Sequence, residues 1–156
     1  MDITNLKDGD KLRIIRCHAG SPEYQWGFRA GMEVTVTAQR SCSDQPDGTV
    51  AVKNEHGMLG YFEPEDVMVD PVVGDRVRAH DFNNVGEARI MGRPPCYVEG
   101  IIRAIVNGDC RRYDIEIERR MWDGHYDTAE KGQSCLTPVN GTEGTFSGVL
   151  FRVEKI

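Results

Sequence analysis

Long apolar runs are missing from this sequence. Nowhere does it hold the about 18 consecutive apolar residues that a membrane-crossing helix needs, and its opening, MDITNLKDGD, lacks the apolar core of a secretory leader. Both absences lead us to expect a soluble chain of the cytoplasm with no membrane partner. Paired cysteines are missing too. Cys17, Cys42, Cys96, Cys110 and Cys135 are odd in number and widely spaced, unlike the dense, even set of a secreted disulfide scaffold, so reduced thiols are expected. No CxxC or HxxxH pair supplies the tight ligand spacing of a zinc site, and Cys17 beside His18 is poor chelating geometry on a strand. GxxxxGKS/T, GxGxxG and GxSxG are all absent, which removes the phosphate-cradling loops and the nucleophile elbow. None of His18, His56, His80 and His125 is marked by its context as a base for a cysteine nucleophile. The expectation is a protein without metal, cofactor or catalytic centre.

Lysine is scarce: 5 against 14 arginines. Arginine favours planar, bidentate or stacked contacts, which points to interfaces more than to bulk solubility. The formal charge is −6 and unevenly spread, with 7 basic and 12 acidic side chains in residues 1–70 against 12 and 13 in residues 71–156. An acidic chain gains little from counterion release, so binding of nucleic acid by the whole protein is disfavoured, although a local arginine patch remains able to do it.

A helical period of 3.6 is also lacking beyond single turns, which excludes α-rich and βαβ arrangements. In its place are short alternating segments punctuated by Gly, Asp, Asn and Pro. Asp8, Gly9 and Asp10 lead into a strand over residues 11–17; Val34 and Val36 alternate with Thr35 and Thr37; residues 49–54 and 58–62 continue a meander; Pro64 to Val67 read as one helical turn. Gly74 and Asp75 then lead into Val77 and Ala79 much as Gly9 and Asp10 lead into Leu12 and Ile14. Tyr97 to Val106 forms a strand, followed by a turn at residues 107–109. In residues 111–122, RRYDIEIERRMW, alternation points Tyr113, Ile115, Ile117 and Met121 one way and Arg112, Asp114, Glu116, Glu118 and Arg120 the other. Residues 83–96 read as a long loop, residues 123–148 as an irregular excursion, and residues 149–153 as the closing strand. The predicted fold is all-β, in two small modules over residues 1–70 and 71–156.

The run GDKLRII, GFRAGMEVTVTA, DGTVAVKN, GMLGYFEPEDVMV resembles the SH3-like barrel over residues 7–70. VGDRVRAHDF followed by CYVEGIIRAIV is similar to the opening of Tudor- and KOW-type barrels, from which the inserted loop 83–96 and the segment 123–148 depart. Small proteins with such Gly-Asp-led barrels resemble bacteriophage accessory proteins. That resemblance implies a non-catalytic factor in the host cytoplasm that engages a host protein and is able to inhibit it. It carries no aromatic methyl-lysine cage over, since only Phe82 and Tyr97 fall near the matching strands.

The candidate binding residues are Arg93 in the long loop and the group Arg111, Arg112, Arg119, Arg120, Trp122, His125 and Tyr126. Trp, Tyr and Arg dominate protein interfaces, and arginine with aromatic rings also stacks on bases. A protein partner is therefore expected first and nucleic acid second. Alternation puts Tyr113 in the core and Trp122 on the wet face beside Arg120, with burial under a loop as the plainer fate of a tryptophan.

Overall fold

The computed structural model describes residues 2–37, 45–80, 96–122, 124–141 and 153–156. The chain is all-β, with two antiparallel sheets, and divides into two compact units, Met1–Val69 and Asp70–Ile156. The expected loop at residues 83–96 lies outside the described residues, apart from Cys96.

The first sheet holds β1 (Lys11–Ile14), β2 (Glu33–Val36), β3 (Val50–Lys53), β4 (Leu59–Phe62) and β5 (Val67–Met68) in the order β4-β3-β2-β1-β5. A four-residue helix, α1 (Pro22–Gln25), lies between β1 and β2; the Ser21 side chain caps it by accepting from the Tyr24 N–H, and Pro22 occupies its first turn. Alternation buries Leu12, Ile14, Val34 and Val36, and these pack with Phe28, Val52, Phe62 and Val67. Phe28 is fully buried and meets Phe62 edge-to-face at 5.5 Å between ring centroids. Gly60 makes this possible, because a Cβ there would lie 2.8 Å from the Phe28 ring.

The second sheet holds β6 (Arg76–His80), β7 (Tyr97–Val106), β8 (Arg112–Trp122), β9 (His125–Asp127), β10 (Ser134–Pro138) and β11 (Val153–Lys155), ordered β10-β8-β7-β6-β11 with β9 on β8. With β9 set aside, this is the strand order of the first sheet. The turns that open the two units match bond for bond. The Asp10 carboxylate accepts from the Lys7 N–H at 2.8 Å, and the Asp75 carboxylate from the Val72 N–H at 2.9 Å. The Gly9 N–H donates to the Val36 carbonyl at 2.9 Å, and the Gly74 N–H to the Ile102 carbonyl at 2.8 Å. Gly9 and Gly74 sit at φ 93° and 96°, the left-handed region that glycine enters without cost.

Two expectations need correction. Residues 123–148 are not wholly irregular, since β9 and β10 lie within them; every β9 residue is exposed, so no apolar alternation announced that strand. The parity of β8 also changes along its length. Ile117 pairs with Gly100 and Arg119 with Glu99, so Glu118 is an extra residue, a β-bulge. Beyond it Met121 shares the face of Tyr97, away from Ile115 and Ile117, while Arg120 pairs with Val98. Of the expected closing strand, only Val153 is described, as the first residue of β11.

Candidate functional site

One face of the second sheet carries an apolar core of Val77, Ala79, Ile102, Tyr113, Ile115 and Val153. The other face carries a layer of charge and aromatic rings built around Glu99. Arg78 and Glu99 are cross-strand partners on β6 and β7, and the bulge in β8 swings Arg119 onto the same face. The Glu99 side chain is 1% exposed. Its carboxylate accepts from Arg119 Nε at 2.6 Å, from Arg78 Nη2 at 2.8 Å and from Arg76 Nη2 at 3.5 Å. The Tyr126 hydroxyl adds a contact at 3.4 Å. Above these, the Arg78 guanidinium lies 4.3 Å from the centre of the Tyr97 ring and the Arg119 guanidinium 3.7 Å from that of Tyr126. The two tyrosine hydroxyls are 3.0 Å apart. At one end of the layer, His80 and Arg78 both reach Glu154 on β11, at 3.2 and 3.7 Å.

Burial is the largest single influence on the Glu99 carboxyl and opposes its ionisation. The hydrogen bonds and charges of Arg78 and Arg119 together outweigh it, holding the group below the ordinary carboxylate range. Burial likewise raises the Tyr97 phenol, reinforced by its hydrogen bond to Tyr126. Glu99 was missed as a candidate, although a lone acid between Val98 and Gly100 in an apolar strand, opposite the alternating Arg76 and Arg78, was the available signal.

The expected group is spread over two faces. Arg119 and Tyr126 lie on the Glu99 face; Trp122 pairs with His125, and alternation puts both on the opposite face with Arg120. Arg120 Nε donates to Glu130 at 2.6 Å. Arg111 is exposed, and Arg112 is half-buried eight residues before Arg120, a span of roughly 26 Å at about 3.3 Å per strand residue. Trp122 is 59% exposed, and His125 and Tyr126 are exposed beside it on the β8–β9 hairpin. Arg93 lies outside the described residues.

Among the described residues, no group of three or more His, Cys, Asp and Glu side chains is arranged to hold a metal ion. The Cys17 thiol is buried, donates to the Phe28 carbonyl at 3.4 Å and has its pKa raised, chiefly by burial, the surroundings of an inert thiol. Among the same residues no helix is long and apolar enough to cross a membrane. No family model, curated protein or solved structure matches the chain.

Proposed function

We propose that this chain is a non-catalytic protein-binding factor made of two SH3-like and Tudor-like barrel modules, and that the β8–β9 hairpin is its contact surface. The observation that carries the reading is Trp122, left 59% exposed at the end of a long strand with His125 opposite it. A large rigid aromatic held on a paired backbone binds at little entropic cost, which is why tryptophan is over-represented among the residues that dominate interfaces. In the setting implied by the resemblance to phage accessory proteins, the partner is a host protein, which the factor engages and is able to inhibit in the host cytoplasm.

Nucleic-acid binding is the second reading and draws on the arginines of the candidate group. Two of them are already committed, Arg119 to Glu99 and Arg120 to Glu130, so they offer less to a phosphate than a solvated pair would. The full chain immobilised in a bacterial lysate should recover one protein in stoichiometric amount, and Trp122→Ala should weaken that capture by roughly thirtyfold, the loss typical of an interface hot spot at about 2 kcal/mol. No such protein, or capture indifferent to Trp122→Ala, would refute the reading. Anisotropy of a labelled single-stranded oligonucleotide across a salt series addresses the alternative, since phosphate contacts require affinity to fall steeply with salt.

A further inference from the structure

The matching turns and strand orders make positions in the two sheets equivalent. Arg13 pairs with Glu33 as Arg78 pairs with Glu99, and Thr35 lies opposite Lys11 as Ile101 lies opposite Arg76. Lys11, Arg13 and Glu33 in the first unit thus stand where Arg76, Arg78 and Glu99 stand in the second. The same triad has opposite surroundings. Glu99 is 1% exposed under Arg119 and Tyr126. The Glu33 side chain is 51% exposed, and its two ion pairs, to Lys11 and Arg13, are both at 3.9 Å, beyond hydrogen-bond reach. The Lys11 ammonium donates to the Thr35 hydroxyl instead, at 2.8 Å.

Beside Glu33 the first unit carries an open depression of about 490 Å³, whose lining includes Trp26, Met32, Lys11, Lys53 and Glu55. Trp26 is 45% exposed there. A carboxylate with unfilled acceptor sites lining one depression with a half-exposed indole is the combination that the second unit fills from within, with a guanidinium bonded to the acid and stacked on a ring.

We infer that this depression takes an arginine side chain of a protein partner, its guanidinium donating to Glu33 and stacking on Trp26 as Arg119 does on Glu99 and Tyr126. Charge agrees, because residues 1–70 carry 12 acidic and 7 basic side chains, and a basic segment is drawn to such a surface. Lys11 and Lys53 also line the depression and oppose a cation, which favours a single arginine over a run of positive charge. An acidic segment would meet Glu33 and Glu55 at close range and is disfavoured. The site lies in the other unit from Trp122 and does not depend on that surface.

The test uses the full chain, isotope-labelled, titrated with the amide of N-acetyl-arginine and with a Gly-Arg-Gly peptide, and followed by amide and indole resonances. Saturable shifts are expected at the Trp26 indole and at Glu33, with the lysine analogue weaker. Glu33→Gln should weaken binding by about tenfold, the loss of roughly 1.4 kcal/mol expected for a hydrogen bond to a charged group. Trp26→Ala should also lower the affinity, and Trp122→Ala should leave it unchanged. Because Glu33 is half-exposed, Glu33→Gln should keep the spectrum of the folded chain, and that spectrum is the control. Absent shifts at Trp26, shifts spread evenly over the acidic surface, an undiminished response in Glu33→Gln, or a preference for Gly-Asp-Gly would each overturn the inference.

Discussion

Two sheets with one strand order are stabilised by different chemistry. In the first, the described buried side chains are almost all apolar, with Thr37 the polar exception and Phe28 at the centre. In the second, an apolar layer on one face is matched by a charged and aromatic layer on the other, with a carboxylate as deeply buried as any valine. The topology therefore does not decide where the stabilising contacts lie. What differs is a strand pair, β8 and β9, that extends far enough to cover the second face and supplies Arg119 and Tyr126 to it. In the first unit no such pair is found among the described residues, and the equivalent acid, Glu33, stays open to solvent.

The sharpest way to break this comparison is to remove the centre of the apolar unit. Phe28→Ala should cost about 3–5 kcal/mol, the range for truncating a fully buried phenylalanine. Amide exchange resolved along the chain should show β1 to β5 losing protection while β6 to β11 keep theirs. Equal loss in both units would mean that they do not hold together by separate cores.

Much of this architecture is legible in the residues. The Gly-Asp turns before β1 and β6 announce themselves because few residues other than glycine enter the left-handed region cheaply, and the strand at Tyr113–Ile117 because one of its faces must be apolar. The rest is hidden for physical reasons. His125, Tyr126 and Asp127 form a strand through backbone pairing alone, with no buried side chain to mark a period. The bulge at Glu118 reverses parity midway, so counting by twos from Tyr113 misplaces Arg119, Arg120 and Met121. The partner that makes Glu99 tolerable in the interior lies twenty residues away across that irregularity, where no local pattern points. The candidate surface was legible as a set of residues and not as a geometry, because alternation on a hairpin divides neighbours such as Trp122 and Tyr126 between two faces.

A smaller effect is expected at the charged layer. Glu99→Ala leaves Arg76, Arg78 and Arg119 without their shared acceptor and should cost about 2–3 kcal/mol. That is less than the 3–5 typical of a wholly buried pair, because the three arginines keep 44%, 31% and 39% of their side-chain exposure. Glu33→Gln at the equivalent position should cost under about 1 kcal/mol, as exposed pairs do. Acid should separate the units in the same sense. The Glu99 carboxyl is lowered on folding, so its contribution is complete above the unfolded value of about 4.3 and is lost as the pH falls through the folded value. Denaturation midpoints followed downward from neutral pH should show the second unit losing stability below about pH 4.3, with Glu99→Gln removing that part of the slope. A second unit with no acid-dependent slope of its own would remove the charged layer from the account.

A further test falls on Gly100, which stands in β7 where Val34 stands in β2, each opposite the strand that opens its unit. Val34 carries a buried side chain at that position, whereas at Gly100 a Cβ would collide with the backbone carbonyl of Glu116. The close approach belongs to the irregular stretch of β8 in which Glu118 is the extra residue and Arg119 turns toward Glu99. Gly100→Ala must move that backbone, and one methyl against a carbonyl should cost about 3 kcal/mol, the upper part of the usual overpacking range, because no flexible side-chain end is there to give way. The informative readout is the environment of Arg119. If the tight crossing of β7 and β8 sets the bulge, the side-chain Nε resonance of Arg119 should shift as its bond to Glu99 loosens, while β1 to β5 remain unperturbed. An alanine accepted with no loss of stability and an unchanged Arg119 signal would mean that the bulge, and with it the covered second face, arises from β8 itself and not from the missing side chain beneath it.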